Sequence, residues 1–383
     1  MTEAHTDEPL RINFVLPVAA ITGGVRVVAI YAERLAARGH RIKVVSTPRR
    51  LPWRRRLRRV IDGRGYASHL PAARSHFDGL GLDHEVISTR RPVTDDDLPD
   101  ADVTVATWWK TANWVQALSP AKGAKVHFVQ HDERAMGPEH TAGAEAAWRL
   151  PMPKVLVAQW LEPVLREHGG AGPCTVVANA VDTGQFFAPP RERNAVPRVG
   201  LMYSDSAFKG VDVAIAAYEK ARERLPGLRL TAFGQDSPYP HLPLPGGTDY
   251  EQNPAQERLR ELYAACDAWL FASRCEGFGL PILEAMACRT PVIGTPTGAA
   301  PELIGAGGGR LVEMGSADAM ASAIAELCGG PEAAWRSASD RAYATATGYT
   351  WDDATSAFEA ALRRAVAADR VEAGVGVGVA TNR

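Results

Sequence analysis

Two glutamates, Glu276 and Glu284, stand eight positions apart on either side of a turn that contains Gly277 and Gly279. Ionised carboxylates accept strong, charge-assisted hydrogen bonds, and their negative charge repels phosphate. We therefore expect both carboxylates to bind hydroxyl groups of a ligand rather than its phosphates. Glycine has no side chain, so the backbone N–H groups of this turn can approach the same ligand closely.

The sequence on each side of this turn is typical of an anion-binding site. A short apolar run at 268–273 predicts a buried parallel strand, and 280–288 has helix composition with Pro281 near its first turn. The positive end of the helix dipole would then favour a diphosphate at the turn. The alternative interpretation is that the glycines only form a turn and that Glu284 is a solvated helix residue.

This segment resembles the two-glutamate motif, with Gly-Phe-Gly-Leu-Pro between the glutamates, of retaining glycosyltransferases of family 4 (group 1), which have the GT-B architecture. The resemblance implies that Glu276 faces the donor sugar and that Glu284 binds the ribose hydroxyls of the nucleotide. It also implies that the backbone amides of Phe278, Gly279 and Leu280 hold the sugar and the phosphate.

Length and composition limit the class of protein. A chain of 383 residues is long enough for two domains of ordinary size. Its net charge of −1 and 46% hydrophobic residues indicate a soluble globular protein without the general basic excess of nucleic-acid-binding proteins. The acidic, polar N-terminus predicts neither a signal peptide nor a membrane span, so we expect a cytoplasmic protein.

The five cysteines show no metal-binding spacing and are expected to be reduced thiols. Asp95 to Asp97 are expected to form an exposed loop rather than a metal site.

Apolar strand-like runs alternate with helix-like segments along the whole chain, which predicts an α/β protein with mostly parallel sheets. Two doubly wound domains fit this alternation, with ligands expected at the carboxyl ends of the strands and between domains. The family resemblance implies the GT-B architecture, with two Rossmann-like doubly wound domains that face a central cleft. The predicted segments are a disordered N-terminus (1–10), an acceptor-side N-terminal domain (11–190), a linker (191–197), a C-terminal nucleotide-sugar-binding domain (198–349), a helix that returns to the N-terminal domain (350–367) and a disordered tail (368–383).

Two further candidates follow strands of the N-terminal domain. Gly23 and Gly24 come after the first strand and open the first helix, so their amides are candidates for a diphosphate contact, although a structural turn explains the pair equally well. No Gly-x-Gly-x-x-Gly pattern occurs there, which argues against a dinucleotide-binding dehydrogenase. His131 follows the strand 126–130, and the family resemblance implies that it positions the donor sugar. A solvated surface turn is the alternative, and His127 within the strand is expected to be buried.

Lys209 opens a helix in the C-terminal domain and is the candidate that neutralises charge on a leaving nucleoside diphosphate. The family usually pairs this lysine with an arginine five or six positions earlier, whereas this chain has Tyr203 and Ser204 there. Either Arg274, beside the glycine turn, is the substitute, or Lys209 and backbone amides hold the donor. The alternative interpretation of Lys209 is an exposed lysine without a ligand. The segment 297–302 resembles the glycine-rich, Pro-Glu-containing loop of the same family and is expected to close the nucleotide pocket.

The segment 49–59 carries seven arginines in eleven residues, with Trp53 among them. Such a cluster suits peripheral contact with an anionic membrane or with a phosphate-rich, lipid-linked acceptor. A solvated basic loop is the alternative, and nucleic acid is disfavoured because the charge is local.

The family resemblance implies a metal-independent, retaining glycosyltransferase without a cofactor, which moves a hexose or deoxyhexose from a nucleoside-diphosphate sugar to a hydroxyl of a glycan, lipid-linked or small-molecule acceptor. Two alternatives stay open. One is a sugar-nucleotide epimerase on the same architecture, and the other is a non-catalytic sugar-nucleotide-binding or assembly protein.

Overall fold

A computed structural model describes residues 8–50, 69–70 and 74–379. The chain divides into two compact units, of which the first comprises Met1–Ala178 with Thr355–Arg383 and the second comprises Asn179–Ala354. Among the described residues, no helix is both long enough and apolar enough to span a membrane.

The first unit is built on a seven-stranded sheet in which all paired strands are parallel, in the order β5-β2-β1-β6-β7-β8-β9. Strands β1 and β6 are almost entirely buried, as expected for apolar strands covered by helices on both faces. The strands are β1 (Arg11–Leu16), β2 (Arg41–Ser46), β5 (Asp83–Val86), β6 (Val103–Ala106), β7 (Ala124–Val129), β8 (Lys154–Leu156) and β9 (Cys174–Val176).

Helices follow most of these strands, which is the alternation that the sequence predicted. Within the described residues of the first unit they are α1 (Gly23–Ala37), α2 (Trp109–Gln116), α3 (Pro138–Trp148) and α4 (Leu161–Glu167).

A short antiparallel pair, β3 (Arg49–Arg50) with β4 (His69–Leu70), lies apart from this sheet. The greater part of the arginine cluster at 49–59 lies outside the described residues, so membrane contact through it stays a prediction.

The second unit contains a six-stranded parallel sheet in the order β12-β11-β10-β13-β14-β15. Its buried core includes Leu201, Leu230, Leu270 and Ile293, one from each of four neighbouring strands. The strands are β10 (Arg198–Tyr203), β11 (Arg229–Gly234), β12 (Asp249–Gln252), β13 (Ala268–Phe271), β14 (Val292–Gly294) and β15 (Gly309–Leu311).

The helices of the second unit cover both faces of its sheet, which is the doubly wound arrangement expected from the sequence. They are α5 (Val211–Arg224), α6 (Gln256–Ala264), α7 (Leu280–Ala287), α8 (Ala300–Gly305), α9 (Ala317–Gly329) and α10 (Glu332–Thr347).

The division between the units falls earlier in the chain than the linker that we predicted at 191–197. Asp267 is fully buried at the start of β13, and its carboxylate accepts hydrogen bonds from Arg191 Nη1 at 3.1 Å, from the Asn194 amide at 3.0 Å and from the Arg198 amide at 2.8 Å. A buried carboxylate needs such donors, so the segment is bound to the second unit. Its prolines and charges suggested a linker, but these contacts could not be read from the sequence.

The last helix, α11 (Trp351–Val379), continues past the point at which we predicted a disordered tail. No glycine or proline interrupts the chain between Trp351 and Glu372, so nothing stops the helical hydrogen-bonding pattern there. Phe358 on this helix stacks on Tyr31 of α1, with 4.3 Å between ring centroids, and meets Phe128 edge-on at 5.1 Å. This aromatic contact packs the last helix against α1 and β7 within the first unit.

Candidate active site

The glycine turn connects strand β13 to helix α7, as the sequence predicted. Gly279 caps the helix in the left-handed conformation, with φ of +97°, and a Cβ there would lie only 3.0 Å from Cζ of Phe271. The backbone conformation and the nearby ring therefore both require glycine. The helix begins at Leu280, so the backbone from Phe278 to Leu280 lies at the N-terminal end of α7. The side chain of Phe278 is buried.

Lys209 and Glu276 form an ion pair, with 2.7 Å between Nζ and Oε1. Ser273 donates a hydrogen bond to the same carboxylate oxygen at 2.8 Å. The side chain of Glu276 is 11% exposed and that of Lys209 is 21% exposed, so the pair is shielded from water but still reachable from solvent. Three residues from two segments of the sequence are thus brought together at the carboxyl end of the sheet.

The loop after β14 packs on the glycine turn. Thr297 Oγ1 accepts a hydrogen bond from the Glu276 amide at 3.0 Å, and the Ala299 amide donates to the Phe278 carbonyl at 2.9 Å. Gly298 adopts φ of +60°, and a Cβ there would lie 2.7 Å from the Phe278 carbonyl oxygen. The close approach of this loop explains why glycine stands at 298.

A short 3₁₀ turn, Ala207–Lys209, positions the lysine. The next residue, Gly210, caps α5 in the left-handed conformation, and a Cβ there would collide with the Ala272 carbonyl oxygen. The lysine turn is therefore packed directly against the chain that leaves β13.

Arg274, the candidate substitute for a phosphate-binding arginine, is paired with a carboxylate of α5. Its guanidinium forms a two-pronged ion pair with Asp212, at 3.0 Å and 2.7 Å, and also donates to the Ala207 carbonyl at 2.5 Å. This neighbouring charge lowers the pKa of the Asp212 carboxyl. The arrangement favours a role in which Arg274 holds the lysine turn, because planar guanidinium groups bind carboxylates in this fork geometry.

Glu284 lies in α7, about one turn after the first residue of the helix, and is buried with 7% of its surface exposed. The hydroxyl of Tyr263, from α6, donates a hydrogen bond to Glu284 Oε2 at 2.8 Å. The sequence analysis missed Tyr263, since nothing in the spacing of α6 and α7 shows that these two side chains meet.

Gly23 and Gly24 lie in the first unit, at the start of α1 and after β1. Thr22 caps this helix by accepting a hydrogen bond from the Val25 amide at 3.4 Å. A Cβ at Gly23 would meet no atom within 4 Å, and one at Gly24 would make ordinary contact with the Gln130 side chain at 3.5 Å. Protein packing alone therefore does not require glycine at either position.

His131 stands after β7 in the first unit, where its Nδ1 lies 2.8 Å from the carbonyl oxygen of Asp132. His127, by contrast, is completely buried within the strand, and burial lowers its pKa to about 3. The prediction of a buried His127 is thus confirmed. The sugar-positioning role of His131 remains a proposal.

Glu133 is a buried carboxylate beside His131 that the sequence analysis did not single out. It is 1% exposed, and its Oε2 accepts a hydrogen bond from the Trp109 amide, the first residue of α2, at 2.8 Å. Burial raises the pKa of Glu133 well above its ordinary value. A solvated surface turn was the alternative interpretation of the segment at His131, whereas the buried Glu133 caps a helix.

A comparison with protein-family models matches part of the second unit. Residues 194–329 match the family model described as glycosyl transferases group 1, a range that includes Lys209, Glu276 and Glu284. The family resemblance predicted from the two-glutamate motif is confirmed for this part of the chain.

Curated relatives cover only part of the chain. A D-inositol 3-phosphate glycosyltransferase of Mycobacterium avium (strain 104) is 32% identical over 218 residues, which are 52% of this chain and 51% of the relative. An O-antigen chain mannosyltransferase B of Escherichia coli is 36% identical over 101 residues, or 26% of each chain. The chain thus spans about half the length of the first relative and a quarter of the second.

Solved structures match nearly the whole chain. Sucrose-phosphate synthase from Thermosynechococcus elongatus has a TM-score of 0.70 at 17% identity and covers 94% of this chain and 99% of its own. Anabaena HepE, solved in complex with UDP and glucose, has a TM-score of 0.70 at 18% identity and covers 93% and 100%. At such identities the likeness establishes the fold. The chain therefore has the GT-B fold, and its residues 194–329 carry the sequence features of the group 1 glycosyltransferases.

Proposed function

We propose that this protein is a retaining glycosyltransferase that moves a hexose or deoxyhexose from a nucleoside-diphosphate sugar to an acceptor hydroxyl, without a metal ion. The observation that carries the proposal is the cluster of Lys209, Glu276 and Ser273 beside the N-terminal end of α7. It combines a cation for a leaving diphosphate, a carboxylate for sugar hydroxyls and helix amides for phosphate oxygens.

In this proposal Glu276 binds the donor sugar. Lys209 and Ser273 both contact its Oε1, which leaves Oε2 to accept a hydrogen bond from a sugar hydroxyl. Because the carboxylate is only 11% exposed, such a bond would form in a partly desolvated setting where charge-assisted hydrogen bonds are strong.

In this proposal Lys209 stabilises the leaving group. As the bond between the anomeric carbon and the diphosphate breaks, negative charge accumulates on the phosphate oxygens, and a preorganised ammonium nearby lowers the energy of that state. Its pairing with Glu276 holds the ammonium in position before the donor arrives. The amides from Phe278 to Leu280, at the N-terminal end of α7, supply further contacts to the phosphates in this proposal.

The relatives suggest the classes of donor and acceptor. Their names include transfer to D-inositol 3-phosphate and addition of mannose to an O-antigen chain, and Anabaena HepE has been solved with UDP-glucose. We accordingly propose a hexosyl donor and an acceptor that presents hydroxyls on a polyol, a glycan or a lipid-linked sugar.

The donor class is tested by incubating the purified protein with UDP-, GDP-, dTDP- and ADP-sugars. Titration calorimetry would measure binding, and nucleotide release would measure slow hydrolysis of the donor. We expect one donor family to bind, and we expect Glu284→Ala and Glu276→Gln to weaken that binding. Glu326→Ala is a matched control, because Glu326 is an exposed helix residue of the same unit.

The results separate the proposal from its alternatives. Conversion of the donor sugar into its epimer without nucleotide release would support an epimerase, and binding without release in the presence of any acceptor would support a non-catalytic role. Absence of binding to every donor would overturn the proposal. Once an acceptor is found, the anomeric configuration of the product by NMR tests retention, and activity in EDTA tests metal independence.

A further inference from the structure

The hydroxyl of Tyr263 and the carboxylate of Glu284 meet in the interior of the second unit. We propose that Tyr263 is a positioning residue that orients Glu284 toward the ribose hydroxyls of the bound nucleotide. The inference rests on the proposed function, since it concerns the nucleotide part of the same site.

The contact is short and enclosed. Tyr263 OH donates to Glu284 Oε2 at 2.8 Å, Tyr263 is 1% exposed and Glu284 is 7% exposed. The two side chains come from neighbouring helices, α6 and α7, so the hydrogen bond also fixes how the carboxylate points relative to the glycine turn.

The phenol ring has little freedom to move. Its centroid lies 4.4 Å from that of Trp269, 5.7 Å from that of Phe233 and 6.0 Å from that of Phe186. Trp269 and Phe233 also stack on each other at 5.5 Å. A ring held on several sides by other aromatic rings presents its hydroxyl in one direction, which is a suitable support for a carboxylate that must keep one orientation.

The energetic argument follows from burial. A carboxylate away from water is costly unless donors satisfy it, and a hydrogen bond to a charged group is stronger than one between neutral groups. Removing the phenol oxygen would leave Glu284 with one donor fewer and remove the contact that orients its Oε2. The effect on binding should therefore appear at the ribose and not at the phosphates.

The experiment compares ribonucleotides with deoxyribonucleotides. Wild type, Tyr263→Phe and Glu284→Ala would be titrated by calorimetry with UDP, GDP and ADP and with the corresponding 2′-deoxynucleoside diphosphates. For the nucleotide that binds, we expect Tyr263→Phe to weaken the ribose form about tenfold or more and the 2′-deoxy form about twofold or less. The ratio of the two affinities does not depend on how much of a variant preparation is folded.

Tyr218→Phe is the matched control. Tyr218 is buried in the same unit and donates through its hydroxyl to the Leu228 carbonyl at 3.2 Å, so the same atom is removed from a similar setting. Its ratio of ribose to deoxyribose affinity should equal that of the wild type. In a Glu284→Ala background, Tyr263→Phe should have no further effect on the ratio, because the two residues act as one unit.

The outcomes distinguish this inference from the proposed function. If wild type binds a ribonucleotide and Glu284→Ala abolishes the preference for ribose while Tyr263→Phe leaves it unchanged, the positioning role is wrong and the function stands. An equal loss of both nucleotide forms in Tyr263→Phe would also overturn the positioning role, since it would indicate general damage to the fold. If wild type binds none of the nucleotides, both proposals fail.

Discussion

Nζ of Lys209 lies 2.7 Å from Oε1 of Glu276, although the two residues are separated by 67 positions in the sequence. The lysine comes from the turn after β10 and the glutamate from the turn after β13, and these two strands are hydrogen-bonded neighbours in the parallel sheet. Their pairing joins the cation proposed for the leaving group to the carboxylate proposed for the sugar.

Lys209→Ala should reduce turnover about 100-fold or more, because it removes the preorganised charge that stabilises the leaving diphosphate. Donor binding should fall much less, since the amides of the glycine turn remain. Steady-state kinetics with the donor identified by titration would measure both. Lys220→Ala removes an exposed ion pair with Asp318 in the same unit and should change neither quantity. Unaltered turnover in Lys209→Ala would contradict the assigned role.

Asp212→Asn distinguishes two roles for Arg274. If Arg274 holds the lysine turn through Asp212, Asp212→Asn and Arg274→Ala should lower kcat/KM by similar amounts, on the order of tenfold, through misplacement of Lys209. Stability should change by less than about 1 kcal/mol, because the pair is exposed.

A phosphate contact by Arg274 predicts a different pattern. Asp212→Asn would then release the guanidinium and leave donor binding equal or tighter, while Arg274→Ala would weaken it. Arg258→Ala, which removes an exposed ion pair with Glu251, serves as the control for general effects of losing an arginine.

Gly23→Ala tests whether the start of α1 contacts a ligand. The protein leaves space for the added Cβ, so stability should be unchanged or raised by about 0.4–1 kcal/mol through a less flexible unfolded chain. Donor affinity should nevertheless fall if a diphosphate approaches the Gly23 amide closely. Gly305→Ala also adds a Cβ into open space and should leave donor affinity unaltered. Thermal denaturation and calorimetric titration measure the two effects, and wild-type affinity in Gly23→Ala would contradict the predicted contact between this residue and a diphosphate.

Asp97 in the first unit should make stability depend on pH. Arg91 pairs with its carboxylate at 2.6 Å and Thr94 donates to it, which together lower the pKa of Asp97 to about 2. Because the folded state stabilises the ionised form of Asp97, the contribution of Asp97 to the free energy of unfolding is complete above the ordinary pKa of 3.8. It is lost as the pH falls toward 2.

We expect Asp97→Asn to lower the free energy of unfolding by about 1–2 kcal/mol at pH 6. Solvent screens part of the ion pair because Arg91 is exposed. Below about pH 4 the difference from wild type should shrink. Urea denaturation at several pH values measures it, with the neighbouring Asp96→Asn as control. A difference that stays constant down to pH 2 would show that the loss has another cause.

The sequence determined the kind of fold and the centre of the site. Alternating strand and helix patterns predicted two parallel α/β units, and the spacing of Glu276 and Glu284 around Gly277 and Gly279 predicted the strand, turn and helix that the structure contains. These features are local, because a few neighbouring residues fix strand burial, helix capping and the glycine conformation.

The tertiary structure decided which side chains meet. Tyr263 with Glu284, Arg274 with Asp212, and Asp267 with the segment predicted as a linker are contacts between residues on different elements of the chain. Pattern and composition do not encode such pairs, because they depend on the packing of helices against the sheet. Glu133, which no pattern in the sequence singled out, is buried and caps a helix, since the free energy of a carboxylate is set by its surroundings and not by its place in the sequence.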